Sequence, residues 1–267
     1  MLARERQSYI ADRVRERGAV RVSDLTRELN VSDMTVRRDL DQLARQGVVD
    51  KVHGGATVPG RTSTDEPGFE AKSVRERDEK DAIARAATTL VQPGFAVGLS
   101  AGTTTWTLAH RLLGVPDITV VTNSVQVASV FYQSPRPEQT VVLTGGVRTP
   151  SDALVGPIAV AALRSLNLDI VFLGVHGMDE RTGFTSPNLL EAETSRALAA
   201  SGRRLAVVAD HTKWAVVGIS TITPLEEADV VVTDDGLHAA ALAVLSERVA
   251  DVVVTTPDPS HTARDVS

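Results

Sequence analysis

Cysteine is absent from this chain of 267 residues. That excludes a disulfide framework and thiolate metal centres, and it is the usage of a reducing compartment, so a cytoplasmic location is expected. Aromatic residues are scarce at 3%, yet hydrophobic residues reach 42%, so a sizeable core must be built from Val, Leu, Ile and Ala. No apolar run approaches the ~20 residues of a membrane-spanning helix. The stretch from Met1 to Gly18 lacks the apolar segment of a secretory leader. No membrane partner, no metal and no cofactor are expected. A basic balance is lacking as well, the formal net charge being -6. The deficit is uneven: residues 1–56 hold 11 Lys and Arg against 9 Asp and Glu, and the remainder holds 17 against 25. A mildly basic head precedes an acidic body.

In the head, residues 4–17 read as a helix with Ile10 and Val14 on one face and Gly18 as its stop. After Ala19–Val22, Ser23 is expected to cap a short helix carrying Leu25 and Leu29, and Asn30 to supply a left-handed turn. Ser32 then caps a third helix, in which Val36, Leu40 and Leu43 recur at helical spacing up to Gly47. Two capped helices a few residues apart are the layout of a helix-turn-helix. With the apolar positions turned inward, Thr35, Arg37 and Arg38 stand at the N-terminal end of the polar face, the end that a recognition helix inserts into the major groove. The arginine fork pairs bidentately with guanine or grips a phosphate. Asp39 is better placed to orient an arginine than to touch DNA. Residues 48–58 read as two short strands turning near His53, a wing that offers Lys51 and His53 to the DNA backbone or minor groove. The expected DNA-facing set is therefore Ser32, Thr35, Arg37, Arg38, Lys51 and His53. An arginine-rich helix of an ordinary helical subdomain has the same periodicity, so periodicity alone leaves both readings open.

The expected boundaries are 1–57 for the head, 58–68 for a linker rich in Pro, Gly, Ser and Thr, and 69–267 for the body. Helical pattern resumes over 69–91, its alternating charges placing the first half in solvent. Strand candidates follow at 95–99, 118–122, 140–144, 169–174, 204–209, 229–233 and 251–255. Near-continuous apolar runs of that length between helical segments point to a mostly parallel sheet covered on both faces, an α/β fold. In such a sheet the loops after the strands share one edge, where ligands bind. Those loops hold Gly102, Thr103, Thr104 and Thr105, then Asn123 and Ser124, then Gly145, Gly146 and Arg148, then Asp179 and Glu191, and finally Asp210 and Lys213. The first two open helices, so backbone N–H groups and hydroxyls converge in a way that suits a phosphate. Gly-Thr turns also occur without a ligand, and this one lacks the spacing of a nucleotide-binding glycine loop. The weight lies in five loops on one edge.

The stretch from Val31 to Ala56 closely resembles the signature of the DeoR family of bacterial transcriptional regulators. Thr35, Arg37, Arg38, Asp39 and Leu40 match its recognition helix, and His53 to Ala56 its wing. The body resembles the effector domain of that family, itself similar to the ribose-5-phosphate isomerase fold. The matching positions are Gly102–Thr104, Thr122–Ser124, Gly145, Gly146, Arg148, Val155, Gly156, Gly177, Asp179, Glu191, Asp210, Lys213, Thr233 and Asp234, so that the likeness runs over residues 4–255. It implies a repressor of a carbohydrate-metabolism operon, relieved by a phosphorylated sugar, that binds a palindromic operator in double-stranded DNA as a homodimer or homotetramer and is not an enzyme. The chain departs from the family where an acidic residue often precedes the Gly-Thr-Thr turn; here Ser100 and Ala101 stand there. Two other readings compete. Asp179, Glu191, Asp210 and Lys213 offer the acid–base groups of a sugar-phosphate isomerase. Isomerases of that fold, however, carry a glycine-rich lysine loop before the catalytic Glu, and Ser186–Glu193 has neither the lysine nor the glycines. An architectural DNA binder leaves the convergent polar loops unexplained.

Overall fold

The computed structural model describes residues 3–17, 19–52, 54–57 and 68–258. The chain forms two compact units, Met1–Asp65 and Glu66–Ser267. The expected linker over 58–68 lies, Gly68 excepted, outside the described residues, as does Gly18.

Unit one contains α1 (Ala3–Arg17), β1 (Ala19–Arg21), α2 (Val22–Leu29), α3 (Asp33–Arg45), β2 (Asp50–Val52) and β3 (Gly55–Thr57). The strands form an antiparallel sheet in the order β1-β3-β2. Ile10, Val14, Leu25, Val36, Leu40 and Leu43 are buried in one cluster, because each pair recurs near the helical period and so shares one stripe. Ser32 caps α3, its hydroxyl accepting the Thr35 N–H at 3.3 Å. Asn30 closes α2 in the left-handed region at φ 51. Ser23 does not cap α2: the helix starts at Val22, with extended Arg21 before it and no side-chain cap. The pairing of Arg21 with Gly55 and the burial of Val22 set that start earlier than the serine. Strand β1, only three residues long, is too short to show a period of two in the sequence.

Unit two begins with α4 (Phe69–Ser73), α5 (Arg77–Thr88), β4 (Ala96–Leu99), α6 (Thr103–Leu112), β5 (Thr119–Thr122), α7 (Val125–Gln133) and β6 (Thr140–Leu143). A small hairpin of β7 (Val147–Arg148) and β8 (Leu154–Val155) leads to α8 (Pro157–Arg164) and β9 (Ile170–Gly174). The chain continues through β10 (Gly177–Asp179), β11 (Gly183–Ser186), α9 (Leu189–Ser201), β12 (Leu205–Val208), β13 (Ser220–Thr223), β14 (Val230–Asp234), α10 (Ala239–Arg248) and β15 (Asp251–Thr255). All seven strand candidates join one parallel sheet, in the order β15-β14-β12-β9-β4-β5-β6. Its alternating side chains feed two cores. Ile170 and Phe172 pack with α5, α6 and α7, and Val171 and Leu173 pack with α8, α9 and α10. Burial on both faces is why the five inner strands read as unbroken apolar runs, while the edge strands β6 and β15 stay half-buried or exposed.

The segment 69–91 departs from expectation. It is two helices, broken where Glu76 takes a left-handed conformation at φ 47. Its first half is not wholly in solvent either, since Lys80 is only 4% exposed. Among the described residues no helix is long and apolar enough to cross a membrane.

Candidate functional site

The polar face of α3 carries Ser32, Arg37 and Arg38 exposed and Thr35 half-buried. The Ser32 and Thr35 hydroxyls lie 2.8 Å apart. Arg37 Nε donates to Asp33 at 3.0 Å, one turn back. Arg38 is in no ion pair among the described residues. Met34, absent from the sequence-based expectations, is 76% exposed at the same helix end, where an apolar side chain can meet a thymine methyl. Asp39 is buried and does orient an arginine, though one from another helix: it accepts from Arg6 Nε at 2.5 Å and Gln7 Nε2 at 2.9 Å, which ties α1 to α3. Lys51 lies on β2; its side chain and the whole of His53 lie outside the described residues.

In unit two the strand order reverses between β4 and β9. A cavity opens at the carboxyl ends of those two strands, where open α/β sheets bind ligands. Ala101–Thr104 enter it from the end of β4 and Gly174–His176 from the end of β9. Asn123, Ser151, Ser186, Glu191, Ser195, Lys72 and Lys213 complete much of the wall. The space amounts to about 740 Å³, its open mouth included.

Helix α6 starts at this wall, preceded by Gly102 at φ 154, and no side chain caps it. Its first-turn N–H groups and the positive end of its dipole are therefore available to an anion. The Asn123 amide braces the turn, accepting the Ala101 N–H at 3.1 Å and donating to the Leu154 carbonyl at 3.2 Å. Lys213 ends a short turn capped by Asp210, which accepts the Thr212 N–H at 3.1 Å. Buried Asp234 holds the same turn, accepting from the His211 N–H and facing His211 Nδ1, both at 2.7 Å. Burial alone would lower the His211 pKa, but its contact with Asp234 raises it above the ordinary value. Burial would likewise raise that of Asp210, yet Lys213, the Thr212 hydroxyl, Lys80 and His211 keep it below the usual carboxylate range. Glu191 is the carboxylate of the cavity wall, and it accepts a hydrogen bond from Thr149 Oγ1.

Of the expected effector residues, Gly102, Thr103, Thr104, Asn123, Glu191 and Lys213 line this cavity. The others do not. Thr105 is fully buried with its hydroxyl turned onto the carbonyls of Ser100 and Gly102. Ser124 is spent capping α7, accepting from the Val127 N–H at 3.2 Å. Gly145 and Gly146 turn the chain into the β7–β8 hairpin. At Gly146, φ 128, a Cβ would lie 2.6 Å from the Val155 carbonyl oxygen. Arg148 points to solvent and pairs with Asp152. Asp179 closes the β10–β11 turn through the N–H groups of Arg181 and Thr182. Asp210 supports Lys213 from outside the wall. Position after a strand tells which loops meet, but not which side chains turn inward.

Residues 6–62 match the family described as the DeoR-like helix-turn-helix domain, and residues 75–235 match the DeoR C terminal sensor domain. The chain belongs to the DeoR family of transcriptional regulators. It is 37% identical over 255 residues to the uncharacterized HTH-type transcriptional regulator YgbI of Escherichia coli K12, covering 95% of this chain and 98% of that one. It is 33% identical to the HTH-type transcriptional regulator GolR of Listeria innocua, over 88% and 92% of the two chains. The glycerol-3-phosphate regulon repressor of Escherichia coli K12 is 28% identical, over 91% and 95%. Among solved structures, ribose 5-phosphate isomerase A of Methanocaldococcus jannaschii is similar over 52% of this chain and 54% of that one, at 18% identity and a TM-score of 0.38. That likeness is too partial to carry an activity or a ligand.

In this member of the DeoR family, Lys72, Ser151, His176, Ser186 and Ser195 line the cavity without having been expected there. Lys72 belongs to a charge-rich helix, and Ser151 lies in a turn, Ser186 at the end of β11 and Ser195 on α9, so no local pattern marks them. Lys80 also escapes the sequence reading. It is buried beside the cavity wall, and that burial pushes its ammonium down to about 8. It sits in a run of alternating charges that resembles a solvated helix.

Proposed function

We propose that this chain represses a carbohydrate-metabolism operon and releases its operator when a phosphorylated sugar enters the cavity. The observation that carries the reading is the position of an uncapped helix start, Gly102–Thr104, beside Lys213 and Glu191 at the strand-order reversal. The helix start and the ammonium suit a phosphate, and the glutamate and serines suit sugar hydroxyls. A relative named as a glycerol-3-phosphate regulon repressor is consistent with a phosphorylated effector. Of the four acid–base groups that an isomerase reading needs, only Glu191 and Lys213 line the cavity, which favours binding over turnover.

On the DNA side, α3 enters the major groove with Thr35, Arg37 and Arg38 leading. Two copies in a dimer, or in each half of a tetramer, read half-sites one helical turn apart, about 34 Å, or a multiple of it. A panel of sugar phosphates tests the proposal on the full chain. One member should raise the melting temperature and lower operator affinity in fluorescence anisotropy. If none does either, the effector reading fails; conversion of any member to its ketose or aldose isomer would favour an enzyme instead.

A further inference from the structure

Helix α4 is the first element of unit two and follows residues 58–67, the stretch of chain that joins it to the DNA-binding unit. None of its residues is buried. Among its anchors are three contacts. Phe69 meets Trp106 of α6 edge-on, with ring centroids 5.8 Å apart. Lys72 Nζ donates to Ser151 Oγ at 2.7 Å, and both residues line the cavity. At the far end of α4, Lys80 Nζ donates to the Lys72 carbonyl at 2.8 Å and to the Arg75 carbonyl. The buried ammonium thus adds a partner to the Lys72 carbonyl, which also accepts backbone N–H groups at the end of α4, and to the Arg75 carbonyl beyond it. Asp210 balances that ammonium and also faces Lys213. The charge of Asp210 thus acts both on Lys80, which holds the Lys72 carbonyl, and on Lys213.

A short helix with no buried residue lies at the low-stability end of a fold. The contact at Ser151 is open to competition. A hydrogen bond between an ammonium and a neutral hydroxyl is weaker than one between an ammonium and a phosphate oxygen, where both partners carry charge. Resting on the reading of this cavity as the effector site, we propose that Lys72 is a ligand for the anionic group of the effector, exchanging Ser151 for a phosphate oxygen, and that the exchange shifts α4 and the chain leading to the DNA-binding unit. The effector can drive that shift only by its differential affinity for the two arrangements. Lys80 is the positioning residue, since it fixes the backbone from which Lys72 reaches.

The two tryptophans make the exchange measurable. Trp106 touches Phe69 of α4, Trp214 follows Lys213, and unit one has none. Titration of the full chain with inorganic phosphate, against chloride at matched ionic strength, should give a saturable change in tryptophan emission. Lys72→Met should weaken phosphate binding about tenfold or more, as loss of a charge-assisted hydrogen bond requires. Lys72→Arg should stay within about threefold, because it keeps the cation. Ser151→Ala should leave binding unchanged or tighten it, since the competing hydroxyl is gone. If Lys72→Met binds as wild type while Lys213→Met is weakened, the role of Lys72 is overturned and the effector cavity stands. If wild type gives no response and Lys213→Met behaves identically, both fall. Loss of binding in Ser151→Ala would make the serine a ligand and overturn the exchange. Should circular dichroism show Lys72→Met misfolded, the Lys72→Arg and Ser151→Ala titrations decide alone.

Discussion

In the DNA-binding unit the exposed polar side chains of α3 stand outside a small core, whereas in the sensor unit polar side chains line a cavity at the end of a sheet. Helix α3 sorts itself by its own period, with Val36, Leu40 and Leu43 turned in and Arg37 and Arg38 turned out. The sensor unit has no such internal rule. Thr103, Thr104, Asn123, Ser124, Thr105 and Asp210 are all buried polar residues in neighbouring loops and helix starts, and buried polar groups must find partners. Thr103, Thr104 and Asn123 line the cavity wall, Asn123 also bracing the turn, while the other three serve the loops themselves. An exposed arginine on an amphipathic helix can be read from one dimension. A buried threonine cannot.

The comparison can be broken first at the level of folding. Phe172→Ala, at the centre of the sheet, should cost about 3–5 kcal/mol, and Leu40→Ala, in the DNA-binding core, about 2–5 kcal/mol. Tryptophan emission follows the sensor unit and circular dichroism follows both. Leu40→Ala should therefore move the dichroism transition in denaturant and leave the tryptophan transition in place. A shared shift would show that the units do not fold independently.

At the level of binding, Arg38→Ala should weaken specific operator binding by about 1–3 kcal/mol if Arg38 reads a base. Uniform weakening across sequences, with a shallower salt dependence, would mark it as a phosphate contact instead. Arg37→Ala should cost less, because Arg37 is already engaged by Asp33. In the sensor unit, Lys213→Ala should abolish operator release by the sugar phosphate that releases wild type; retained release would remove Lys213 from the site.

The smallest effects concern pH. Lys80 titrates at about 8 in the fold against an ordinary 10.5. Between those values the unfolded chain holds a proton that the folded chain has released, so this group adds stability as pH rises through the window and costs stability below it. The stability of wild type relative to Lys80→Met should climb between those two pH values in urea titrations. His211 has the opposite sign. Its raised pKa means that its pairing with Asp234 stabilises fully below pH 6.5 and fades as pH rises through the folded value. Asp234→Asn should remove that fade, and an unchanged profile would refute the pairing.

Much of the fold was legible because it rests on short-range pattern. Seven apolar runs became seven parallel strands, and Ser32 and Asn30 occupy the cap and turn positions that their chemistry suits. Misreadings cluster where a distant partner decides. Ser23 lost its cap to the pairing of β1 with β3, and Lys80 was drawn inward to the carbonyls of Lys72 and Arg75. Within the cavity, Thr104 and Thr105 are neighbours in one turn, yet one lines the wall and the other is spent on backbone.

Periodicity, caps and loop chemistry by themselves determined that capped helices precede an α/β body and that α3 turns two arginines outward, because these follow from contacts a few residues apart; the likeness of Val31–Ala56 to the DeoR signature singled out the helix-turn-helix. Which loop residues share the cavity was decided by the reversal of strand order between β4 and β9. That Lys72 reaches Ser151, 79 positions away, and that Lys80 sits buried beneath it was likewise decided by the fold. The physical reason is that a buried polar side chain is assigned by the partners folding delivers to it, and no local sequence pattern records them.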